Sequence, residues 1–110
     1  MANRAPTISS HVLDTSRGTP AAGVVIGLAL VGVDGLELQL GSATTDADGR
    51  VADLVGRPLE VGTYRLRFAL AERSPFFAAL TLDIRVDDAG RSYHVPVLLS
   101  PFGLSTYLGS

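Results

Sequence analysis

The residues of this 110-residue chain best suited to chemistry near neutral pH are its two histidines, His11 and His94. An imidazole with an ordinary pKa of about 6.5 can take a proton from water at neutral pH, so a pair of them suits general acid–base work. A single His on a strand is more often structural, and the pair matters only if the fold brings the two rings together. Arg50 closes Asp46-Ala47-Asp48-Gly49-Arg50, where Asp and Gly are placed as turn formers. Taken alone, it is a solvated residue following a β-turn. The turn hints at calcium, but the remaining ligands of an EF-hand loop, including its terminal Glu, are missing. Two His fall short of a structural zinc site, and a chain without cysteine offers no thiolate ligand and no disulfide. No Ser-His-Asp or Cys-His arrangement stands at a recognisable spacing.

The elements that must position these side chains are strands. Residues 8–14 alternate, with Ile8, Ser10 and Val12 on one face and Ser9, His11 and Leu13 on the other. Arg17-Gly18-Thr19-Pro20 is loop chemistry. Val24 to Val33 and Leu36 to Leu40 read as a hairpin around Gly32-Val33-Asp34-Gly35. A short strand over 51–55 precedes Arg57-Pro58. Thr63 to Leu70 turns Tyr64, Leu66, Phe68 and Leu70 one way and Arg65 and Arg67 the other. Its partner is Leu80 to Val86, with Leu80, Leu82, Ile84 and Val86 sharing a face. Between them, Ser74-Pro75 limits any helix to one turn. Tyr93 to Leu99 is the next strand and Leu104 to Leu108 the last. This pattern predicts an all-β sandwich of seven to eight strands with at most one short helix, over residues 8–110, after an N-terminal arm of residues 1–7.

Composition agrees with one domain. At 46% hydrophobic and 18% charged residues the chain is neither a disordered acidic tail nor a basic one, and so much apolar content in a small domain predicts oligomerisation. Net charge is −2, and the nine basic residues, all Arg, are scattered from Arg4 to Arg91, so no nucleic-acid footprint is expected. The start, Met1-Ala2-Asn3-Arg4-Ala5-Pro6, lacks the apolar run of a secretory signal. No stretch reaches the roughly 18 to 20 apolar residues of a membrane span, which makes the cytoplasm the expected compartment and leaves no membrane partner.

Two stretches resemble the transthyretin-like family: Ser10-His11-Val12-Leu13-Asp14-Thr15-Ser16-Arg17-Gly18-Thr19-Pro20-Ala21-Ala22-Gly23, and Tyr93-His94-Val95-Pro96-Val97-Leu98-Leu99-Ser100-Pro101-Phe102-Gly103. The strand order between them agrees, so the likeness covers nearly the whole chain. Both His resemble those of the 5-hydroxyisourate hydrolases rather than the hormone-carrying transthyretins, which lack them. The resemblance implies a transthyretin-like (prealbumin-like) two-sheet β-sandwich that opens the ring of 5-hydroxyisourate, an unstable product of urate oxidation, with no metal or organic cofactor. It further implies a homotetramer, a dimer of dimers, with sites in a channel where outer sheet faces meet. His11 and His94 become the catalytic pair, one the general base for water and the other orienting water or substrate. Arg50 becomes the clamp on the substrate's carbonyl oxygens. Tyr107, Leu108, Gly109 and Ser110 occupy the substrate-binding C-terminal motif.

Alternation supports part of this independently, because His11 with Leu13, and His94 with Pro96 and Leu98, lie on the faces opposite Val12, Val95 and Val97. Four features stand out. Pro96 has no N–H for a ladder, so a local break is expected there. The 70–80 segment is shorter than the family's helix-containing connection, which implies a reduced or missing helix. Leu108 stands where the hydrolases typically carry Arg, and Leu104 replaces a usual aromatic. Losing a charged hydrogen-bond donor costs on the order of 1.5–3 kcal/mol, roughly 10- to 150-fold in binding or rate. Two functions therefore follow: a ring-opening hydrolase, favoured by the His pair, and a non-catalytic small-ligand-binding tetramer, favoured by Leu108.

Overall fold

The computed structural model describes residues 5–110. Among them run nine strands and no helix: β1 (Ile8–Asp14), β2 (Thr19–Pro20), β3 (Val25–Val31), β4 (Glu37–Thr44), β5 (Arg50–Val51), β6 (Gly62–Ala69), β7 (Ala79–Val86), β8 (Tyr93–Leu99) and β9 (Leu104–Thr106). Two sheets face each other. One has the order β2-β1-β8-β9, with β5 also pairing β1, and the other the order β4-β3-β6-β7. All pairs are antiparallel except β1 with β8, which run parallel.

Alternation decides which side chains meet between the sheets. Ile8 and Val12 of β1 and Val95 and Val97 of β8 point inward, onto Ile26 and Leu28 of β3 and Tyr64, Leu66 and Phe68 of β6, and all are buried. Each such side chain contributes roughly 1.5–3 kcal/mol by leaving water. Buried Tyr64 keeps its hydroxyl paired, accepting from Glu60 N at 3.0 Å and donating to Glu60 O at 3.1 Å. From β7, Leu80, Leu82 and Ile84 pack against this core from its edge. The expected facing of Arg65 and Arg67 away from the core holds, with Arg65 donating to both Asp83 oxygens at 2.7 and 2.8 Å.

Nine strands replace the seven or eight expected because β2, with two residues in what reads as a loop, is too short for a period-two pattern to register. The strand expected over 51–55 shrinks to Arg50–Val51. Asp53 Oδ1 accepts from the amides of Val55 and Gly56, at 3.1 and 3.0 Å, and turns the chain there instead. Between β6 and β7 the chain makes a turn and no helix. The Leu70 carbonyl accepts from Arg73 and Ser74, both at 2.9 Å, and Ser74 Oγ then accepts from the Phe76 and Phe77 amides just past Pro75.

Pro96 breaks the ladder on one side only. Pairing with β1 runs unbroken from Tyr93 to Leu99, with His11 opposite Pro96. On the other side β9 ends at Thr106, opposite Val97, and contact resumes as a single bridge between His94 and Gly109. Successive residues of a strand present their N–H and C=O to alternate sides. His94 directs its carbonyl to Gly109, so Pro96, two residues on, owes its missing N–H to the β9 side. Thr106 Oγ1 donates to the Pro96 carbonyl at 2.9 Å and closes the gap.

The N-terminal arm expected over residues 1–7 lies partly outside the described residues, which begin at Ala5. Thr7 is already docked, donating its N–H to Ser92 Oγ at 3.1 Å and accepting from Tyr93 N at 2.9 Å. Among the described residues no helix is long and apolar enough to cross a membrane.

Candidate active site

The outer face of β1 and β8 carries the candidate groups. Ser9, His11 and Leu13 alternate with the buried Ile8, Ser10 and Val12, and His94 alternates with buried Tyr93 and Val95. Parallel register sets Ser9 opposite His94 and His11 opposite Pro96, so the two imidazoles are diagonal neighbours on one sheet face. On the far side of β1, His11 pairs with Arg50 of β5. One chain therefore brings His94, His11 and Arg50 side by side across three adjacent strands.

Arg50 is held there by the turn before it. Asp46 Oδ1 accepts from the amides of Asp48 at 2.9 Å and Arg50 at 3.0 Å, and Gly49 donates to the Asp46 carbonyl at 2.9 Å. One oxygen of the Asp46 carboxylate is thus committed to turn amides. Gly49 presses under β1, its carbonyl accepting from Val12 N at 2.8 Å, with φ of 74°. His11 Nε2 lies 2.9 Å from the Asp48 carbonyl. A carbonyl can only accept, so Nε2 carries the hydrogen and a neutral His11 keeps its free lone pair on Nδ1.

His94 is half-buried and held on two sides. Its Nδ1 is 2.8 Å from Ser9 Oγ, and its backbone carbonyl accepts from Gly109 N at 2.8 Å. Gly109 lies so close that a Cβ there would come 2.8 Å from the ring's Cδ2. Burial lowers the His94 pKa from the ordinary imidazole value, and the positive charges of Arg50 and His11 push it the same way. The ring is therefore neutral at pH 7 and able to accept a proton.

A cavity of about 600 Å³ opens beside it, lined by Ser9, Arg50, Arg91, His94, Gly109 and Ser110, among others. His11 stands next to it, turned to the Asp46–Arg50 turn. Tyr107 and Leu108 are placed elsewhere. They line a neighbouring, mostly apolar groove of about 280 Å³ with Leu82, Ile84, Tyr93 and Val95, at the edge where β7 meets β9, and are 54% and 58% exposed. The ladder gap at Pro96 sends these two residues away from the sheet before Gly109 returns to it. Ser9 and Arg91 are site residues that the sequence reading missed. Period two places Ser9 on the His11 face, but only the register with β8 sets it against His94; Arg91 sits in the loop before β8, where no periodicity exists.

The chain matches the model of the HIUase/Transthyretin family over residues 8–109. It is 40% identical over 114 residues to the 5-hydroxyisourate hydrolase of Caulobacter vibrioides, covering 94% of this chain and 97% of that protein. Among solved structures, Klebsiella pneumoniae 5-hydroxyisourate hydrolase superposes with a TM-score of 0.80 at 36% identity, covering 94% of this chain and 99% of that one. Sea bream transthyretin in complex with thyroxine superposes with a TM-score of 0.83 at 26% identity, covering 93% of each chain. Sequence, strand order and the transthyretin-like sandwich agree, and the chain belongs to the HIUase/Transthyretin family.

Proposed function

We propose that this chain is a 5-hydroxyisourate hydrolase, a hydrolase that opens a cyclic amide by His-assisted attack of water. The observation that carries the reading is a neutral, Ser9-held His94 facing a cavity it shares with Arg50. In this mechanism His94 Nδ1–H donates to Ser9 Oγ, which leaves Nε2 to accept a proton as the water oxygen bonds to the ring carbonyl carbon. The ring C–N bond then breaks, and the same proton returns to the departing nitrogen. Arg50 binds the carbonyl oxygens, where negative charge grows, and His11 orients water or substrate through its free Nδ1. No step draws on a metal or organic cofactor. Gly109 and Ser110 form part of the cavity wall, and Tyr107 and Leu108 flank it from the adjoining groove.

The assembly in this proposal is a homotetramer, a dimer of dimers, supported by Leu13 and Leu98 on the same outer face as the histidines. Neither nucleic acid nor membrane has a part in it. The cytoplasm is the proposed compartment, which suits a fold that stands without cysteine. A second reading, a non-catalytic small-ligand carrier, is favoured by Leu108 at the position of the expected Arg. Ultraviolet absorbance of freshly generated 5-hydroxyisourate separates the two. The hydrolase speeds its decay above the buffer rate, while a carrier leaves the buffer rate unchanged; light scattering of the same sample should give four chain masses.

A glycine tests the geometry more finely. Gly109→Ala puts a methyl group against the imidazole edge and displaces the ring from Ser9. A misplacement of about 1 Å can cost on the order of 10²-fold in rate, so a fall in kcat of at least tenfold is expected, with His94 ring resonances shifted by NMR. Unchanged resonances and an unchanged kcat would show that the ring has room there.

A further inference from the structure

We propose that Arg91 is a second substrate-binding guanidinium of the His94 cavity, selecting a planar heterocyclic anion together with Arg50. The inference rests on the hydrolase reading for its substrate and on the cavity itself for its charge. Arg91 and Arg50 line the same cavity. Among the described residues neither makes an ion pair, whereas Arg17 and Arg65 do. The carboxylate that shares the cavity, Asp46, spends its Oδ1 on the amides of Asp48 and Arg50. Two cationic residues thus line one cavity against the single side-chain carboxylate of Asp46, and a bound anion would balance the excess positive charge.

Arg91 is also placed firmly. Its guanidinium lies 4.7 Å from the centroid of the Tyr93 ring, a cation–π contact on a buried platform. Tyr93 is itself fixed, its hydroxyl accepting from Asp88 N at 3.1 Å and lying 3.2 Å from Asp87 Oδ1. Of the acids in that loop, Asp87 therefore faces the Tyr93 hydroxyl, and Asp88 Oδ1 accepts from Gly90 N at 2.9 Å. A stacked guanidinium keeps its planar edge free for an oxygen-rich ring. This supplies, from the opposite end of the motif, a cation that Leu108 cannot provide, since position 108 opens onto the apolar groove.

The test uses urate, a stable heterocyclic anion, as the probe. Isothermal titration of the parent, Arg91→Gln, Arg91→Lys and Arg50→Gln should show binding to the parent that Arg91→Gln weakens by about 10- to 150-fold, with Arg91→Lys recovering part of the loss. In turnover of 5-hydroxyisourate, Arg91→Gln should raise KM by a similar factor and leave kcat within about twofold, the signature of lost uniform binding. Urate affinity unchanged within twofold in Arg91→Gln, or no urate binding by the parent at millimolar concentration, overturns the proposal. The two readings fail separately: urate binding through Arg91 without faster decay of 5-hydroxyisourate rejects the hydrolase, and decay with a KM indifferent to Arg91 rejects the second guanidinium.

Discussion

His94→Ala is expected to lower turnover of 5-hydroxyisourate by about 10²- to 10⁴-fold, the usual contribution of a positioned general base, while the fold stays intact. The side chain leaves the outer sheet face, and its neighbours Val95 and Val97 keep the core filled, so the change removes chemistry and little packing. The pH profile supplies an independent check. A general base works in its neutral form, so activity falls as pH drops through the His94 pKa. That pKa is lowered by burial and by the charges of Arg50 and His11, which places the acid limb of kcat/KM below the ordinary imidazole value of about 6.5. Arg50→Gln removes one of the repelling charges, and the limb should move upward in pH even as the overall rate falls. A His94→Ala protein that hydrolyses at the parent rate would end the proposal of His94 as base.

Gly49→Ala should be the most damaging small substitution to stability. Gly49 has φ of 74°, in the left-handed region, and a Cβ there would drive into the Val12 carbonyl oxygen and crowd Ala21 N at 3.1 Å. The backbone conformation alone costs about 1–2 kcal/mol, and relieving the clash strains the Val12 N–H to Gly49 O bond, worth about 1 kcal/mol more. A total of about 2–3 kcal/mol corresponds to a melting temperature lower by on the order of 10–20 °C in a domain of this size. Gly18→Ala is the control: φ is 69°, but nothing lies within 4 Å of the added methyl. It should show the conformational cost alone, about 1–2 kcal/mol. Equal melting temperatures for the two variants would mean that the Val12 contact is relieved without strain. Because Gly49 joins the carbonyl that holds His11 to the strand that carries Arg50, its variant should also lose activity at temperatures where it remains folded.

The face of the sheet that bears chemistry was legible in the sequence because β1 and β8 are long enough to show period two. Ile8 to Leu13 and Tyr93 to Leu98 assign both histidines to the side away from the core without any knowledge of pairing. What alternation cannot supply is register. That Ser9 rather than His11 faces His94 depends on the parallel alignment of two strands far apart in the chain, and Ser9 went unmarked for that reason. Arg50 was recognisable only through resemblance, since a two-residue strand has no pattern of its own. Tyr107 and Leu108 read as one unit with Gly109 and Ser110, but the proline gap separates them, an effect of backbone hydrogen bonding that side-chain types do not encode. Arg91 owes its place to a loop conformation and a ring stack, and no spacing announces either.

The parallel pairing of β1 with β8 has a consequence for the newly made protein. Ser9 and His94 are 85 residues apart, and their contact closes most of the chain into one loop. Such non-local contacts form late and slowly, because the entropy of closure must be met before the sheet rewards it. A nascent chain still emerging from the ribosome can complete the hairpins β3–β4 and β6–β7, yet it stays chemically silent until the next-to-last strand arrives and docks against the first.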